Sequence, residues 1–534
     1  MKQLEEEFGP DRAIEIETDD EENEAERVCH DDDEFDTESD STGPNHSRRH
    51  TNDFDHDHDL SSFWPQSYRQ SMDMYTSVLT PDTTSFLKGN SFLSFHDKKS
   101  TESSYLSRPL ICSINNEHYA STSSLPISTP TSEIRPSIIE LPRHHQCSYT
   151  QSLLNAINAL CGIGILSTPY ALKEGGWFSL LILIMFGIIT CYTGILLKRC
   201  LDSSSQLKTY PDIGQAAFGL TGRMCIAAIL YIELYSSCIE YIIMMSDSLS
   251  AFFPNAQMGV LGFVHLDSYQ ICAIISTLVI LPTVWLRNLS LLSYVSVGGV
   301  VSLVVVVLCL FWTGVASNVG FHPAGQALNF AKLPLTVGIY SFCYGSHSVF
   351  PNIYSSMDEP SRFPSILIIS FVAAGVLYSG IAICGFSMFG EAIHPQFTLN
   401  LPTNSVATGI AGWAVAATPV TKFGLSITPV ALAIEELLPE AQLRSHGVSI
   451  LIRSSLVVST LIVALTVPYF GSVMALIGSS LVVLVSVILP CVCYLRIHKE
   501  RVTKLEIAIC SSIIVVGVVG AVVGTYSAVT SMSG

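Results

Sequence analysis

Apolar stretches long enough to cross a bilayer follow one another from residue 147 almost to the end of the chain. A helix needs about 20 predominantly apolar residues to span the hydrocarbon core, so each stretch predicts one transmembrane helix. A hydrophobic content of 49% with only 13% charged residues agrees with a membrane protein. We therefore predict an all-α membrane protein with eleven transmembrane helices. Their predicted bounds are 148–172, 176–198, 223–252, 269–286, 290–314, 333–356, 364–388, 409–436, 450–467, 471–495 and 504–527.

The basic residues of the connections predict how these helices are oriented. Lys and Arg collect on the cytoplasmic side of a membrane, and the odd-numbered connections carry only Lys173 and Lys332. The pattern predicts a cytosolic N-terminus and a short C-terminus, residues 528–534, on the opposite face. The basic residues at the even-numbered connections are Lys198, Arg199, Lys208, Arg223, Arg287, Arg362, Arg444, Arg453, Arg496, Lys499, Arg501 and Lys504.

Residues 1–146 form a polar tail ahead of the membrane domain, residues 147–527. The tail carries 30 of the 45 acidic and 12 of the 27 basic side chains, so the net charge of −18 lies within it. It cannot bury enough apolar surface to offset chain entropy, and we predict that it is disordered in the cytosol. One aromatic island, residues 63–71, is either a docking motif for a cytosolic partner or a cluster without function.

Two glycines and a proline interrupt the first predicted helix, at Gly162, Gly164 and Pro169. Gly costs about 1 kcal/mol and Pro about 3 kcal/mol relative to Ala in a helix interior, and lipid offers no partner for the freed backbone groups. Such breaks are tolerated where backbone lines a cavity, as in transporters whose half-helices bind a small ligand near the midplane. The alternative is a glycine face for close helix packing.

The sixth predicted helix carries a second interruption, at Gly345 and Pro351. Helices one and six occupy matching positions if the chain consists of two five-helix repeats and one extra helix. A pair of broken helices at matching positions is the best sequence indication of a transporter binding site. The two breaks together therefore favour a binding site over two merely kinked helices.

Ionisable residues inside predicted helices are the second functional signal, because a charge at the bilayer centre costs a few kcal/mol. Glu233, Glu240 and Asp247 are spaced by seven, which places them on one stripe of the third helix. The stripe suits a polar cavity or a proton path. Alternatively, Asp247 lies in water at the helix end and Glu233 pairs locally.

Lys422 and His347 are further candidates for coupling. Lys422 is the only Lys or Arg deep inside a predicted helix. It could replace a coupling cation, exchange a proton, or form a structural salt bridge to a third-helix carboxylate. His347 could carry a proton or be hydrogen-bonded and never titrate. The sequence lacks G-x-S-x-G, H-E-x-x-H and a phosphate-binding loop, so we expect no enzyme, cofactor, metal site or nucleic-acid partner.

Five sequence motifs, at 155–171, 174–177, 210–219, 347–354 and 421–429, are together specific to one known family. On these motifs, residues 147–527 resemble the amino acid/auxin permease family, and within it the plant vacuolar amino acid transporters. The resemblance implies that the first ten helices form a leucine-transporter-like 5+5 inverted repeat, with helices one and six broken. It also implies proton-coupled movement of amino acids, neutral ones in our interpretation, across the vacuolar membrane, with a lumenal C-terminus.

The resemblance also implies where the substrate and the proton bind. The broken turn of the first helix would hold the substrate's carboxylate and amino group through its backbone, and the break of the sixth helix would form the opposing half of the site. The implied substrate-binding residues are Asn155, Asn158, Gly162, Ile163, Gly164, Ile165, Leu166, Tyr344 and Gly345. The candidates for proton coupling are Glu240, His347, Lys422 and Glu233.

Two other functions remain open at this point. One is a sodium-coupled or auxin-type permease of the plasma membrane. The other is an amino acid sensor without significant flux, in which the acidic tail contacts signalling partners.

Overall fold

The computed structural model describes residues 64–76, 147–260, 264–285, 289–316, 319–322, 325–402, 405–439 and 446–533. The described part is helical apart from one antiparallel hairpin, in which β1, Met258–Val260, pairs with β2, Val264–Leu266. The helices are α1 Ser67–Thr76, α2 Tyr149–Leu160, α3 Thr168–Gly175, α4 Ser179–Leu201, α5 Tyr210–Phe252, α6 Ser268–Trp285, α7 Leu289–Ala316, α8 Leu333–Cys343, α9 Phe350–Ser356, α10 Phe363–Phe389, α11 Val406–Glu435, α12 His446–Thr466, α13 Phe470–Ile477, α14 Leu489–Ile497 and α15 Lys504–Ser533.

The helices of the described residues have the length and composition of a membrane protein. Nine helices are long and apolar enough to cross a bilayer, if the continuous helical stretch from α13 to α14 is counted as one. The number rises to ten if the bent pair of α2 and α3 is also one span. The shorter α8 is also apolar and precedes the break of the predicted sixth helix. The all-helical membrane fold is thus confirmed, while the count of eleven and the inverted repeat stay predictions.

An additional helical segment, beginning at Tyr210, precedes the predicted third helix, 223–252. Helix α5 begins at Tyr210, and Gly219 interrupts it with a φ of 71°, which an L side chain rarely adopts. The chain reverses there so closely that a Cβ on Gly222 would lie 2.3 Å from the carbonyl oxygen of Gly214. Sequence periodicity missed this region because a short helix that ends in a reversal has no spanning length.

Helix α8, the first half of the predicted sixth helix, crosses α13 so closely that its backbone contacts the backbone of α13 and of Gly478, the residue that follows α13. A Cβ on Gly478 would lie 1.9 Å from the carbonyl oxygen of Gly338, and a Cβ on Gly338 would lie 2.5 Å from that of Ala475. Two glycines facing each other allow this approach, as is common where transmembrane helices contact. The crossing holds the helix end that forms one half of the candidate site.

Replacing Gly478 by Ala should destabilise the protein, because the added methyl group forces the two backbones apart and overpacking costs about 1–3 kcal/mol. The matched control is Gly380→Ala, since a Cβ at that helical position meets nothing within 4 Å. Thermal unfolding of the detergent-purified chain would give a lower midpoint for Gly478→Ala and a parental or higher one for Gly380→Ala. Equal midpoints would contradict the close crossing.

Candidate functional site

The break of the first predicted helix is a short 3₁₀ turn, Ile163–Ser167, between α2 and α3, and the axis bends by 44° there. A Cβ on Gly162 would meet nothing within 4 Å, so the turn borders open space. The N–H groups of Ile163 and Gly164 have no hydrogen-bond acceptor among the described residues. This end of the turn therefore offers free donors and the positive end of a helix to an anionic group.

The two predicted breaks lie against each other. A Cβ on Gly164 would lie 3.0 Å from Sγ and 3.2 Å from Cα of Cys343, the last residue of α8. The Cys343 thiol also donates a weak hydrogen bond to the Gly164 carbonyl, at 3.6 Å. The two glycine breaks, far apart in sequence, thus form one continuous irregular region.

Tyr378 joins the ends of both half-helices. Its buried hydroxyl, on α10, lies within hydrogen-bonding distance of the carbonyl oxygen of Leu160 and 2.8 Å from that of Cys343. These residues end α2 and α8, where carbonyl groups have no intrahelical partner. Sequence reasoning missed Tyr378; the available signal was a phenolic hydroxyl in the middle of a predominantly apolar helix.

The other predicted substrate-binding residues of the first helix differ in what they can offer. Asn155 is 4% exposed, and its side-chain oxygen has no hydrogen-bond partner in the described part of the chain. Asn158 is half-buried. The side chains of Ile165 and Leu166 are buried in the apolar core, so these residues can contribute only backbone groups.

Tyr344 and Gly345 lie at the break of the predicted sixth helix, but their outer sides pack against neighbouring helices. The ring of Tyr344 stacks on Phe371 of α10 and its hydroxyl faces Gly187 of α4. A Cβ on Gly345 would lie 2.8 Å from Val482, which follows α13. The aromatic side chain therefore points between α4 and α10, and only the backbone of Tyr344 belongs to the irregular region.

A groove of about 640 Å³ runs between α4 and α10 and contains the ring of Tyr344. Its lining is apolar, and the neighbouring side chains of Ile188 and Val376 are exposed. Lipid would cover such a surface in a membrane. The groove lacks the convergent polar groups that a zwitterionic ligand requires, so we do not assign the substrate to it. Its lining residues are Ile184, Gly187, Ile188, Cys191, Tyr192, Ile195, Tyr344, Ile368, Phe371, Val372, Gly375, Val376 and Ser379.

Three carboxylates lie at successive positions along the membrane helix α5, and Glu240 is the one beside the helix breaks. Glu240 is completely buried, neither carboxylate oxygen has a hydrogen-bond partner among the described residues, and it lies within electrostatic range of Cys343. Glu233 is 7% exposed, and no ion pair joins it to a described residue. Asp247 is half-buried rather than fully in water and lies near Tyr269 of α6.

Lys422 reaches toward the break of the first predicted helix. Its ammonium lies within electrostatic range of Cys161, and a Cβ on Gly299 of α7 would lie 3.2 Å from its Cε atom. None of the described carboxylates lies within 4.0 Å of it, so the structural salt bridge to α5 is absent from the described part. Lys422 is therefore placed as a cation beside the irregular backbone.

His347 is held by hydrogen bonds away from these charges. It is completely buried, and its Nε2 atom lies 3.0 Å from the Thr193 hydroxyl and 3.1 Å from the Thr190 carbonyl oxygen of α4. The carbonyl can only accept, so Nε2 carries the proton. The Nδ1 atom has no hydrogen-bond partner among the described residues, and no described contact joins His347 to Glu240 or Lys422.

A helical membrane protein whose two broken helices meet beside open space, with a buried glutamate and a lysine nearby, is built as membrane transporters are. Residues 145–530 match the family described as transmembrane amino acid transporter protein. The chain is 51% identical to amino acid transporter AVT1E of Arabidopsis thaliana over 482 residues, which cover 88% of this chain and 90% of that protein. It is 46% identical to amino acid transporter AVT1B of Arabidopsis thaliana over 532 residues, 98% of each chain.

Among solved structures, the crystal structure of MhsT in complex with L-phenylalanine matches with a TM-score of 0.45 and 12% identity, covering 72% of this chain and 100% of that chain. The chain belongs to the transmembrane amino acid transporter family. It is a transporter and not an enzyme.

Gly162→Ala should reduce substrate binding without unfolding the protein. The backbone at Gly162 has a φ of −90°, which alanine adopts without strain, and its Cβ would enter the open space. Amino acid binding measured by scintillation proximity should weaken, while the thermal unfolding midpoint stays at the parental value. Gly409→Ala, also without a neighbour within 4 Å of its Cβ and on α11, is the control. Parental binding by Gly162→Ala would remove this space from the site.

Proposed function

We propose that this chain is a secondary active transporter that moves neutral amino acids across the vacuolar membrane, coupled to protons, by alternating access. Membership of a family of amino acid transporters supports the substrate class. The observation that carries the proposal is the contact between the two helix breaks, beside the open space at Gly162. Irregular backbone at membrane depth is tolerated only where it is buried in protein or lines a cavity.

The free N–H groups of Ile163 and Gly164 would bind the substrate's carboxylate. The unpartnered oxygen of Asn155 and the backbone around Tyr344 and Gly345 complete the proposed site. A zwitterion suits this region, because the nearby charged side chains, Glu240 and Lys422, are of opposite sign. No excess charge at the described breaks favours a cationic or anionic amino acid, which supports neutral substrates.

Glu240 is the proposed proton carrier. A carboxylate buried without a hydrogen-bond partner is costly, so its charge depends on whether water reaches it from one side of the membrane or the other. Glu233 and Asp247, on the same stripe about two helical turns away in each direction, are the proposed entry and exit of the proton. His347 is the weaker candidate, since its Nε2 atom is held by Thr190 and Thr193 and no described contact joins it to Glu240 or Lys422.

Lys422 supports a proton rather than sodium as the coupling ion. Lys422 could replace a coupling cation, since its ammonium lies within electrostatic range of Cys161, beside the break of the first predicted helix. A second cation beside an unpaired ammonium would be repelled. The proposed location is the vacuolar membrane with the N-terminus cytosolic and the C-terminus lumenal, in keeping with the basic residues of the even-numbered connections.

Proteoliposomes bearing the purified chain would test this function directly. Uptake of a mixture of radiolabelled amino acids is measured with a pH gradient imposed in either direction and sodium absent. Gradient-dependent uptake of neutral members of the mixture is the expected result. Retained binding without flux in correctly inserted protein would instead identify an amino acid sensor.

Sodium should have no effect on uptake. Because Lys422 already supplies a positive charge at the proposed cation position, replacing sodium chloride by choline chloride should leave the uptake rate unchanged at fixed pH. Flux that requires sodium would favour the sodium-coupled permease. Microscopy of the tagged chain would separate vacuolar from plasma membrane, independently of the ion.

Glu240→Gln should uncouple transport from the pH gradient, because glutamine keeps the shape of the side chain but cannot carry a proton. A pH difference of one unit supplies about 1.4 kcal/mol per proton, which corresponds to about tenfold accumulation when one proton moves with each substrate and no net charge moves. The variant should equilibrate substrate without accumulating it. Glu359→Gln, an exposed residue paired with Arg362, is the control, and parental accumulation by Glu240→Gln would remove this residue from the mechanism.

A further inference from the structure

Residues 64–71 of the aromatic island in the N-terminal tail lie in contact with the membrane domain. Residues 64–76 are described, and α1 packs against α7, α9 and α11. Within the tail, which the sequence predicts to be disordered, this stretch forms a helix because its apolar side chains find a buried surface, while residues 1–63 and 77–146 lie outside the described residues. Tyr68 is 1% and Met72 0% exposed, and their spacing of four places them on one face of α1.

Specific contacts join Trp64, just before α1, to helices α5 and α11. The indole N–H of Trp64 donates to the carbonyl oxygen of Ala433, on α11, at 3.0 Å. Arg223 donates from Nε to the carbonyl oxygen of Trp64 at 3.2 Å and pairs with Asp212 at 2.5 Å. The ring of Trp64 also lies 5.7 Å from that of Tyr231 on α5. Hydrogen bonds and ring contacts of this kind select an orientation, which simple burial of apolar surface does not.

Glu436, at the C-terminal end of α11, caps the N-terminus of α1. Its carboxylate accepts hydrogen bonds from the backbone N–H groups of Gln66, at 3.1 Å, and of Ser67. The first N–H groups of a helix have no intrahelical partner, and a carboxylate there is also stabilised by the helix dipole. The membrane domain therefore provides the cap that the short helix lacks in its own sequence.

Helix α1 touches the break of the predicted sixth helix itself. The hydroxyl of Tyr68 donates to the carbonyl oxygen of Ser348 at 3.4 Å, within the irregular segment between α8 and α9. On the other side, Tyr68 packs edge-on against Tyr231 of α5 at 5.9 Å and lies within electrostatic range of Glu233. One short helix thus connects the broken helix to α5 and α11, which carry Glu240 and Lys422.

We propose that residues 64–76 are an autoinhibitory plug of the transporter. Docked, the plug covers the Glu233 end of the pathway and ties the break between α8 and α9 to α5 and α11. Alternating access requires these elements to move relative to one another and to open on each side in turn. The plug must leave before the cytosolic side opens, so its docking lowers the transport rate.

The plug is tested with the double variant Trp64→Ala/Tyr68→Ala of the full chain, which removes contacts of the plug and leaves the proposed substrate and proton groups intact. Hydrogen–deuterium exchange of residues 67–76 reports whether the plug has left. A Ser348→Cys substitution in both backgrounds reports access to the covered break: mass spectrometry measures how fast an impermeant maleimide labels the peptide containing position 348. This readout needs no transport, so it separates failure of the plug from failure of the proposed function.

Release of the plug should raise the labelling rate at least about tenfold, the change that follows from losing about 1.4 kcal/mol of docking free energy. Uptake of the radiolabelled amino acid mixture by proteoliposomes should also become faster. Glu436→Gln weakens the same contact from the membrane domain and should shift both readouts in the same direction by less. Leu437→Ala changes the neighbour of Glu436, whose side chain is 67% exposed, so it should behave as the parent.

Three results would overturn the plug. Exchange protection that persists in the double variant would mean that these contacts do not hold the helix. Loss of protection with parental labelling and uptake would mean that the helix covers nothing that transport needs. Loss of protection with reduced uptake and a lower unfolding midpoint would mean that α1 is a structural part of the membrane domain.

Discussion

The need to satisfy backbone polar groups inside a membrane governs this structure. Two helices end in the interior of the described domain, and each leaves carbonyl groups that lipid cannot hydrate. The hydroxyl of Tyr378 lies within hydrogen-bonding distance of a carbonyl oxygen at each end, those of Leu160 and Cys343. The breaks can be irregular because a third helix, α10, supplies a polar group at the point where they meet.

Close packing of glycines around the breaks adds to the hydrogen bonding by Tyr378. The glycine crossing of α8 and α13 and the contact of Gly164 with Cys343 leave no space for a side chain. Gly162 differs, because its missing side chain borders open space. Glycines within one stretch of sequence thus have opposite surroundings: Gly164 is packed against Cys343, and Gly162 borders open space.

The sequence predicted the helical membrane fold and the two breaks, since apolar length and interrupting Gly and Pro are local signals. It also singled out Glu240 and Lys422 as candidates for coupling, because an unneeded charge inside a membrane helix is costly. It could not identify Tyr378, whose role depends on two helix ends far away in sequence. Nor could it show that the ring of Tyr344 points between α4 and α10, since backbone direction at a break is set by tertiary contacts.

The aromatic island was recognisable from composition, but its partner was not. Its docking depends on Glu436 and Ala433 at the end of α11, more than three hundred residues further along the chain, and on a ring of α5. Neither the end of α11 nor this part of α5 carries a sequence pattern that marks it as a docking surface. Surfaces that assemble from separate elements leave no signal in any one of them.

The attachment of α1 to the same polypeptide gives its docking a particular thermodynamic character. Because the connection is covalent, the balance between docked and free helix is unimolecular, and it depends on the length of chain between Thr76 and Tyr149 rather than on protein concentration. The density of the protein in its membrane therefore leaves this balance unchanged. A separate molecule that binds the same surface has to compete with the effective concentration that this tether creates.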